Sequence, residues 1–135
     1  MEELGAMKTC IVVDDADVVR RIARRMLERE GLTVVEAESG TKALQICRER
    51  MPDLILLDLH MPIMEGTDFL KLLRQEKDGG IPKVIICTIE YDVEQINAAM
   101  QEGANAYLLK PFDSSTLMEA LSEVGIASGK SQKNL

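Results

Sequence analysis

Cysteines are few in this sequence, and long apolar runs are lacking. Cys10, Cys47 and Cys87 are odd in number, far apart and set among apolar residues, which fits neither a disulfide framework nor paired metal ligands. No apolar segment approaches the roughly 20 residues that span a bilayer, and the N-terminus has no basic segment followed by an apolar core. We therefore predict reduced, buried cysteines and a cytoplasmic protein that does not insert into membranes.

A basic surface for nucleic acid is also lacking. The chain has 16 basic and 23 acidic residues, a formal net charge of -7, and the basic residues are scattered among the acids. Contacts to phosphates need clustered Lys and Arg, so no nucleic-acid partner is expected. The length of 135 residues and the apolar content of 46% suffice for one domain with a substantial core.

Short apolar runs alternate with longer amphipathic segments along the chain. Their periodicity predicts strands at residues 10–13, 33–37, 53–58, 83–88 and 106–109. It predicts helices at residues 17–30, 41–50, 67–76, 93–102 and 114–124. In the first helix we expect Val18, Ile22, Met26 and Leu27 to form the buried face, with Arg and Glu opposite.

Strict alternation of strands and helices favours a parallel sheet with helices on both faces, an α/β fold. Ligands of such sheets bind beyond the carboxyl ends of the strands. Asp14 and Asp15 follow the first strand, Asp58 ends the third, Thr88 ends the fourth, and Lys110 follows the fifth. The pattern therefore predicts one polar site at this edge. Two adjacent carboxylates repel each other and are partly desolvated at a strand end, so they are costly unless a cation meets them.

Four motifs carry a family resemblance: "VVDDADVVRR", "PDLILLDLHMPIMEG", "VIICTIEYD" and "GANAYLLKPFD". Together they resemble the receiver domain of bacterial two-component response regulators across residues 7–125, and most closely the stand-alone regulators of the CheY type. The resemblance implies a five-stranded sheet of order 2-1-3-4-5 in a flavodoxin-like three-layer sandwich. Residues 1–6 are expected to be an extension, and residues 126–135 a flexible polar tail.

The resemblance also implies the roles of the site residues. Asp58 is the expected phosphoacceptor, Lys110 pairs with the phosphoryl oxygens, Thr88 is the switch hydroxyl, and Tyr107 is the switch aromatic. A carboxylate can form an acyl phosphate without a general base, provided that the negative charges are offset. The Lys110–Pro111 peptide bond is expected to be cis.

The same resemblance implies a divalent cation. Mg²⁺ suits a site with one or two carboxylates and waters, and Mn²⁺ can substitute. Asp15, Asp58 and the backbone carbonyl of His60 are the expected direct ligands, with Asp14 acting largely through water.

A sensor histidine kinase or a phosphotransfer protein is the implied phosphodonor, and the chain is expected to lack enzymatic activity beyond self-phosphorylation and slow self-dephosphorylation. We expect it to signal by phosphorylation-dependent binding of a protein effector, the flagellar motor switch in chemotaxis. A phosphorelay shuttle or phosphate sink would use the same chemistry with a different partner.

Other interpretations remain open at this stage. Asp14 or Asp15 alone could be a helix N-cap, and Thr88 or Lys110 alone an ordinary strand-end or surface residue. A phosphatase of the haloacid dehalogenase type also uses a strand-end Asp, magnesium, Thr and Lys. That class needs a second Asp two residues after the first, where this chain has His60.

Overall fold

The computed structural model describes residues 8–61, 64–89 and 93–126, in which strands and helices alternate. The strands are β1 (Thr9–Val13), β2 (Thr33–Ala37), β3 (Leu54–Asp58), β4 (Lys83–Thr88) and β5 (Ala106–Leu109). The helices are α1 (Asp17–Arg29), α2 (Gly40–Glu49), α3 (Gly66–Gln75), α4 (Val93–Gln101) and α5 (Ser114–Glu123). Each bound differs from its prediction by at most one residue. The expected extension at 1–6 and residues 127–135 of the expected tail lie outside the described residues, whereas Ile126, the first residue of that tail, is buried in the core.

All five strands form one sheet in the order β2-β1-β3-β4-β5, and every neighbouring pair is parallel. The predicted strand order is thus confirmed. Because the strands run the same way, their carboxyl ends lie at a single edge of the sheet, and the order reverses between β1 and β3 at that edge. No helix among the described residues is long and apolar enough to cross a membrane.

The core lies in two layers, one on each face of the sheet. Ile55 and Leu57 of β3 pack toward α2, α3 and α4, whereas Leu54 and Leu56 pack toward α1 and α5. Every residue of β3 is buried, as expected for a strand covered on both faces. The predicted burial of the three cysteines is confirmed, and all three are free thiols.

The predicted buried face of α1 is wrong in part. Val18 is 61% exposed and Ile22 is 49% exposed, whereas Leu27 is buried as expected. The side chains that α1 buries are Arg20, Ala23 and Leu27, spaced i, i+3 and i+7. A guanidinium can occupy this face because β2 and the loop after β1 supply hydrogen-bond acceptors for it.

The β5–α5 connection fixes the position of Lys110. The Lys110–Pro111 peptide bond is cis, as the family resemblance implied. Asp113, two residues beyond the proline, caps α5. Its carboxylate accepts a hydrogen bond from the backbone N–H of Thr116, and the Thr116 hydroxyl accepts one from the backbone N–H of Asp113. The cap thereby satisfies a backbone N–H in the first turn of α5.

Candidate functional site

The acidic residues after β1 and β3 meet at the carboxyl edge of the sheet. Asp14, Asp15 and Asp58 each offer an oxygen, and these oxygens lie within 4.8 Å of one another. Asp14 and Asp58 are buried, whereas Asp15 is exposed. The structure thus brings together side chains that are up to 44 positions apart in sequence, because β1 and β3 are neighbours in the sheet.

Lys110 reaches this acidic cluster from the far side of β4. Its Nζ lies 2.7 Å from Asp14 Oδ2 and 3.4 Å from Asp58 Oδ1. The lysine side chain is only 15% exposed, so its ion pairs are screened less than surface pairs are. Lys110 is therefore not an ordinary surface lysine.

The charged groups of the site shift one another's pKa values. Burial raises the pKa of Asp58, and the charge of Asp14 adds to that rise, while Lys110 and the backbone N–H of His60 oppose it. For Lys110, burial alone would lower the pKa. The hydrogen bond to Asp14 and the charges of both carboxylates outweigh burial, so the pKa of Lys110 is raised.

This donor set fits a hard divalent cation. Three carboxylates meet one lysine, so the cluster keeps an excess of negative charge. Oxygen ligands in this arrangement are those that Mg²⁺ prefers, and a cation would relieve the repulsion between Asp14 and Asp58.

Asp14 is held by its local backbone and does not cap a helix. Its Oδ1 accepts a hydrogen bond from the N–H of Ala16 at 2.9 Å, and its own N–H donates to the carbonyl of Ala37 at 3.1 Å. The N-cap of α1 is Ala16, which makes no side-chain cap. The other oxygen of Asp14 is the one that meets Lys110.

Arg20 also holds this loop, and the sequence interpretation missed it. Its Nη1 donates to the backbone carbonyl of Asp14 at 2.8 Å, its Nε bonds to Glu36 Oε1 at 3.1 Å, and its Nη2 contacts Asp17. The residue is only 9% exposed. Its spacing from Ala23 and Leu27 was the signal that could have revealed it, because these three positions share one helical face.

The loop after β3 turns sharply at the proposed acceptor. The N–H of His60 donates to Asp58 Oδ1 at 3.2 Å, whereas the His60 side chain is exposed. Gly66 at the start of α3 approaches this loop so closely that a Cβ there would lie 2.9 Å from the Asp58 carbonyl oxygen. A glycine is needed at this position because a larger residue would displace the backbone that carries Asp58.

Thr88 and Tyr107 lie on adjacent strands. Thr88 is fully buried at the end of β4, and Tyr107 in β5 is 43% exposed. In the β4–β5 register Ile86 is the partner of Tyr107, and Thr88 follows two positions later, so the two side chains project on the same face of the sheet. Thr88 directly follows Cys87, which is the β4 partner of Asp58, and Tyr107 is partly exposed on the next strand.

An apolar pocket of about 440 Å³ borders the site at Lys110. Its lining includes Ile22 of α1, Ile89 after β4 and Phe112 after β5. Ile89 is 65% exposed, so a large apolar side chain that faces solvent lines this pocket together with Lys110.

Comparisons with known proteins agree with this fold and site. The chain is 35% identical over 117 residues to the chemotaxis protein CheY of Halobacterium salinarum, covering 87% of this chain and 96% of that protein. It is 36% identical over 115 residues to chemotaxis protein CheY-3 of Vibrio cholerae, covering 84% of this chain and 88% of that protein. The solved structure of chemotaxis protein CheY4 of Vibrio cholerae aligns with a TM-score of 0.83 at 30% identity, covering 87% of this chain and 98% of that one.

The response regulator receiver domain model matches residues 10–122, a range that contains the acidic cluster, Lys110 and all five strands except the first residue of β1. The chain therefore belongs to the family of response regulator receiver domains, of the CheY type.

Proposed function

We propose that Asp58 accepts a phosphoryl group from a histidine kinase or a phosphotransfer protein, and that the phosphorylated chain signals by binding a protein partner. The observation that carries the proposal is the environment of this carboxylate. Asp58 is 6% exposed and lies 3.4 Å from the Nζ of Lys110 within a cluster of three carboxylates. Its contacts with Lys110 and His60 both use Oδ1, so we assign the attack to Oδ2.

The transfer step is a displacement at phosphorus. Oδ2 of ionised Asp58 forms the new P–O bond while the P–N bond of the donor phosphohistidine breaks. The imidazole leaves with the electron pair and takes up a proton from solvent. The attacking group is the ionised carboxylate, so no general base is required.

The neighbouring charges make this step feasible. Lys110 supplies a fixed positive charge beside the reacting carboxylate. Asp15, Asp58 and the His60 carbonyl would hold Mg²⁺ or Mn²⁺, with Asp14 assisting through water. The cation, when bound, offsets the negative charge of the phosphoryl oxygens.

The proposed switch links Asp58 to the surface of the molecule. The phosphoryl oxygens would accept a hydrogen bond from the Thr88 hydroxyl once the end of β4 moves inward, and Tyr107 would then turn from its exposed position into the space vacated. The phosphoryl group can shift this equilibrium only by its different contacts in the two states, typically ~1–3 kcal/mol of coupling.

We infer a role in chemotaxis, with the flagellar motor switch as effector, because the two named relatives above are chemotaxis proteins. A phosphorelay shuttle or phosphate sink would share the site chemistry. Capturing partners with phosphorylated and unphosphorylated protein separates these roles: a motor-switch protein retained only by the phosphorylated form supports chemotaxis, and a histidine-containing phosphotransfer protein supports a relay.

The phosphorylation itself is tested by incubating the chain with acetyl phosphate and Mg²⁺ and then measuring its intact mass. We expect one phosphoryl group on the parent chain and none on the Asp58→Asn variant. Asp53→Asn is the matched control, since Asp53 immediately precedes the same strand at the opposite edge of the sheet. Labelling of the Asp58→Asn variant at the parent rate would place the acceptor elsewhere.

A further inference from the structure

One arginine joins the two connections that lead into β4 and β5. Arg74 lies in the last turn of α3, and its Nη1 donates hydrogen bonds to the carbonyls of Gly79 and Pro82, both at 2.8 Å. Its Nη2 donates to the carbonyl of Gly103 at 2.6 Å and to Asn105 Oδ1 at 3.3 Å. The first two acceptors precede β4, and the other two lie between α4 and β5. We call these four contacts the Arg74 clamp.

The clamp holds a partly buried charge without an acidic partner. Arg74 forms no ion pair with any carboxylate of residues 8–61, 64–89 and 93–126, and burial lowers its pKa. Its charge is met by neutral oxygens, to which a charged donor makes stronger hydrogen bonds than a neutral donor does. By contrast, Arg48 of α2 is exposed and pairs with Glu76 at 2.7 Å. Arg74 is therefore part of the loop structure and not a surface charge.

Two residues of the α4–β5 connection are fitted to this guanidinium. Gly103 has a φ of +111°, and a Cβ there would lie 2.9 Å from Arg74 Nε, so a larger residue would displace the guanidinium. Asn105 is fixed from a second side, because its Oδ1 accepts a hydrogen bond from the N–H of Val84 and its own N–H donates to the Val84 carbonyl, both at 2.8 Å. The clamp thus holds a residue that is itself bonded to β4.

The clamp lies at the amino edge of β4 and β5, opposite the acidic cluster. Strand β4 runs from Lys83 to Thr88, a rise of about 17 Å. Helix α4 follows β4 and ends at Gln101, two residues before the Gly103 carbonyl that the clamp holds. A displacement at Thr88 therefore acts on a strand whose amino end is fixed, and on a helix whose carboxyl end leads into a fixed residue.

We propose that Arg74 is a positioning residue for the switch. Because the clamp fixes the amino ends of β4 and β5, a shift at Thr88 turns the end of β4 about a fixed point and reaches Tyr107 on the neighbouring strand. Without the clamp, the connections before the two strands would absorb the shift. The inference rests on the proposed function, because phosphorylation of Asp58 supplies the shift.

Arg74→Lys tests the clamp while keeping the positive charge. An ammonium group carries its donors on one nitrogen and cannot reach two separate pairs of acceptors as the guanidinium fork does. We expect the Asn105 N–H of the unphosphorylated variant to exchange with solvent about tenfold faster than in the parent chain, measured against the core amide of Leu56. With acetyl phosphate and Mg²⁺, Asp58 should still be labelled, but the change in the NMR signals of the Tyr107 ring should be at least about twofold smaller.

Two control variants separate positioning from stability and from charge. Val34→Ala removes buried methyl groups from β2, at the opposite edge of the sheet, so it lowers the free energy of unfolding without touching the clamp. Arg48→Lys makes the same conservative change at an exposed arginine. Both should keep the full response of Tyr107 to phosphorylation.

Three outcomes would overturn the proposal. A full Tyr107 response in Arg74→Lys would show that the clamp does not position the switch, and an equal loss of response in Val34→Ala would show an effect of stability alone. Unchanged exchange of the Asn105 N–H would show that a lysine holds the connection as well as the fork does. Failure of acetyl phosphate to label the parent chain would refute the proposed function as well, and it is seen in the intact mass before any variant is compared.

Discussion

Lys110 and Asp14 form the shortest ion pair of the site, with Nζ and Oδ2 2.7 Å apart. The contact between Lys110 and Asp58 is longer, at 3.4 Å. The lysine is therefore oriented mainly by the carboxylate that does not react, and the proposed acceptor is only partly neutralised. Burial and the charge of Asp14 accordingly raise the pKa of Asp58. Keeping this carboxylate ionised opposes folding.

Removing that charge should stabilise the metal-free protein. We expect Asp58→Asn to raise the free energy of unfolding near pH 7 by on the order of 1 kcal/mol, a few degrees in Tm. The pKa of Asp58 is raised in the folded state, so its destabilising effect is absent below the unfolded-state pKa and develops as pH rises through the folded-state value. The gain should therefore shrink as the pH is lowered. Urea unfolding of both proteins at several pH values, with a chelator present to remove metal, measures this difference in unfolding free energy.

Asp53→Asn is the control for this prediction. Asp53 accepts hydrogen bonds from the backbone N–H and the hydroxyl of Thr9, at 2.9 Å and 3.3 Å. Its charge is therefore stabilised by donors, and neutralising it should bring no gain. Equal stabilisation by both variants would contradict a local origin in the acidic cluster and would indicate relief of the overall negative charge.

Magnesium should stabilise the parent protein and not the Asp15→Ala variant. A ligand that binds only the folded state adds about 1.4 kcal/mol when its free concentration is ten times Kd. Asp15 is exposed and lies in the cluster of three carboxylates, so its removal takes away a ligand without opening the core. Thermal unfolding with and without Mg²⁺ measures the effect.

Glu49→Ala serves as the control for magnesium, since it deletes an exposed carboxylate outside the cluster. This variant should keep the whole magnesium-dependent shift. If Asp15→Ala keeps it as well, the assignment of Asp15 as a ligand is wrong.

Arg20 should act as a positioning residue for the acidic loop. Its guanidinium joins the carbonyl of Asp14 to the carboxylate of Glu36, and a lysine cannot make both contacts with one nitrogen in the same geometry. We expect Arg20→Lys to weaken Mg²⁺ binding roughly tenfold, as the loss of outer-shell support usually does. Titration of Mg²⁺ by calorimetry measures the affinity.

The same Arg→Lys substitution at the next residue is the control, and it separates an effect on the position of the loop from an effect on overall stability. Arg21 is exposed, and Arg21→Lys should leave the magnesium affinity unchanged. An Arg20→Lys variant that loses stability but binds magnesium with the parent affinity would show that Arg20 supports the fold only.

The local sequence pattern predicted the strands and helices of this molecule closely, because the strands are short, apolar and bounded by turns. The bounds of β2, β4 and β5 were predicted to the residue. The buried face of α1 was not, because it depends on acceptors that arrive from other elements: Arg20 is buried only where Glu36 and the Asp14 carbonyl are present to bind it. Helical periodicity places Arg20 on the same face as Ala23 and Leu27, but it does not indicate which acceptors would meet the guanidinium.

The acidic cluster was likewise predicted from the sequence only in part. Positions at strand ends predicted that Asp14, Asp58 and Lys110 would lie at one edge, since the carboxyl ends of parallel strands share it. Nothing in the sequence indicated which carboxylate the lysine would pair with more closely. That choice depends on a difference of less than one ångström between two side-chain distances, 2.7 Å and 3.4 Å, which only the packed structure defines.

The coupling between Thr88 and Tyr107 gives the last prediction. Thr88 is fully buried at the end of β4, so its hydroxyl can be removed with its shape kept by Thr88→Val, while Thr88→Ser keeps the hydroxyl. We expect both variants to take up phosphate on Asp58, because neither changes the acidic cluster or Lys110. Phosphorylation of the Val variant should no longer alter the environment of Tyr107, whereas the Ser variant should respond as the parent does. NMR of the Tyr107 ring with and without phosphodonor distinguishes them. Loss of the response in both variants would indicate that packing around Thr88, and not its hydroxyl, carries the signal; retention in both would exclude Thr88 from the switch.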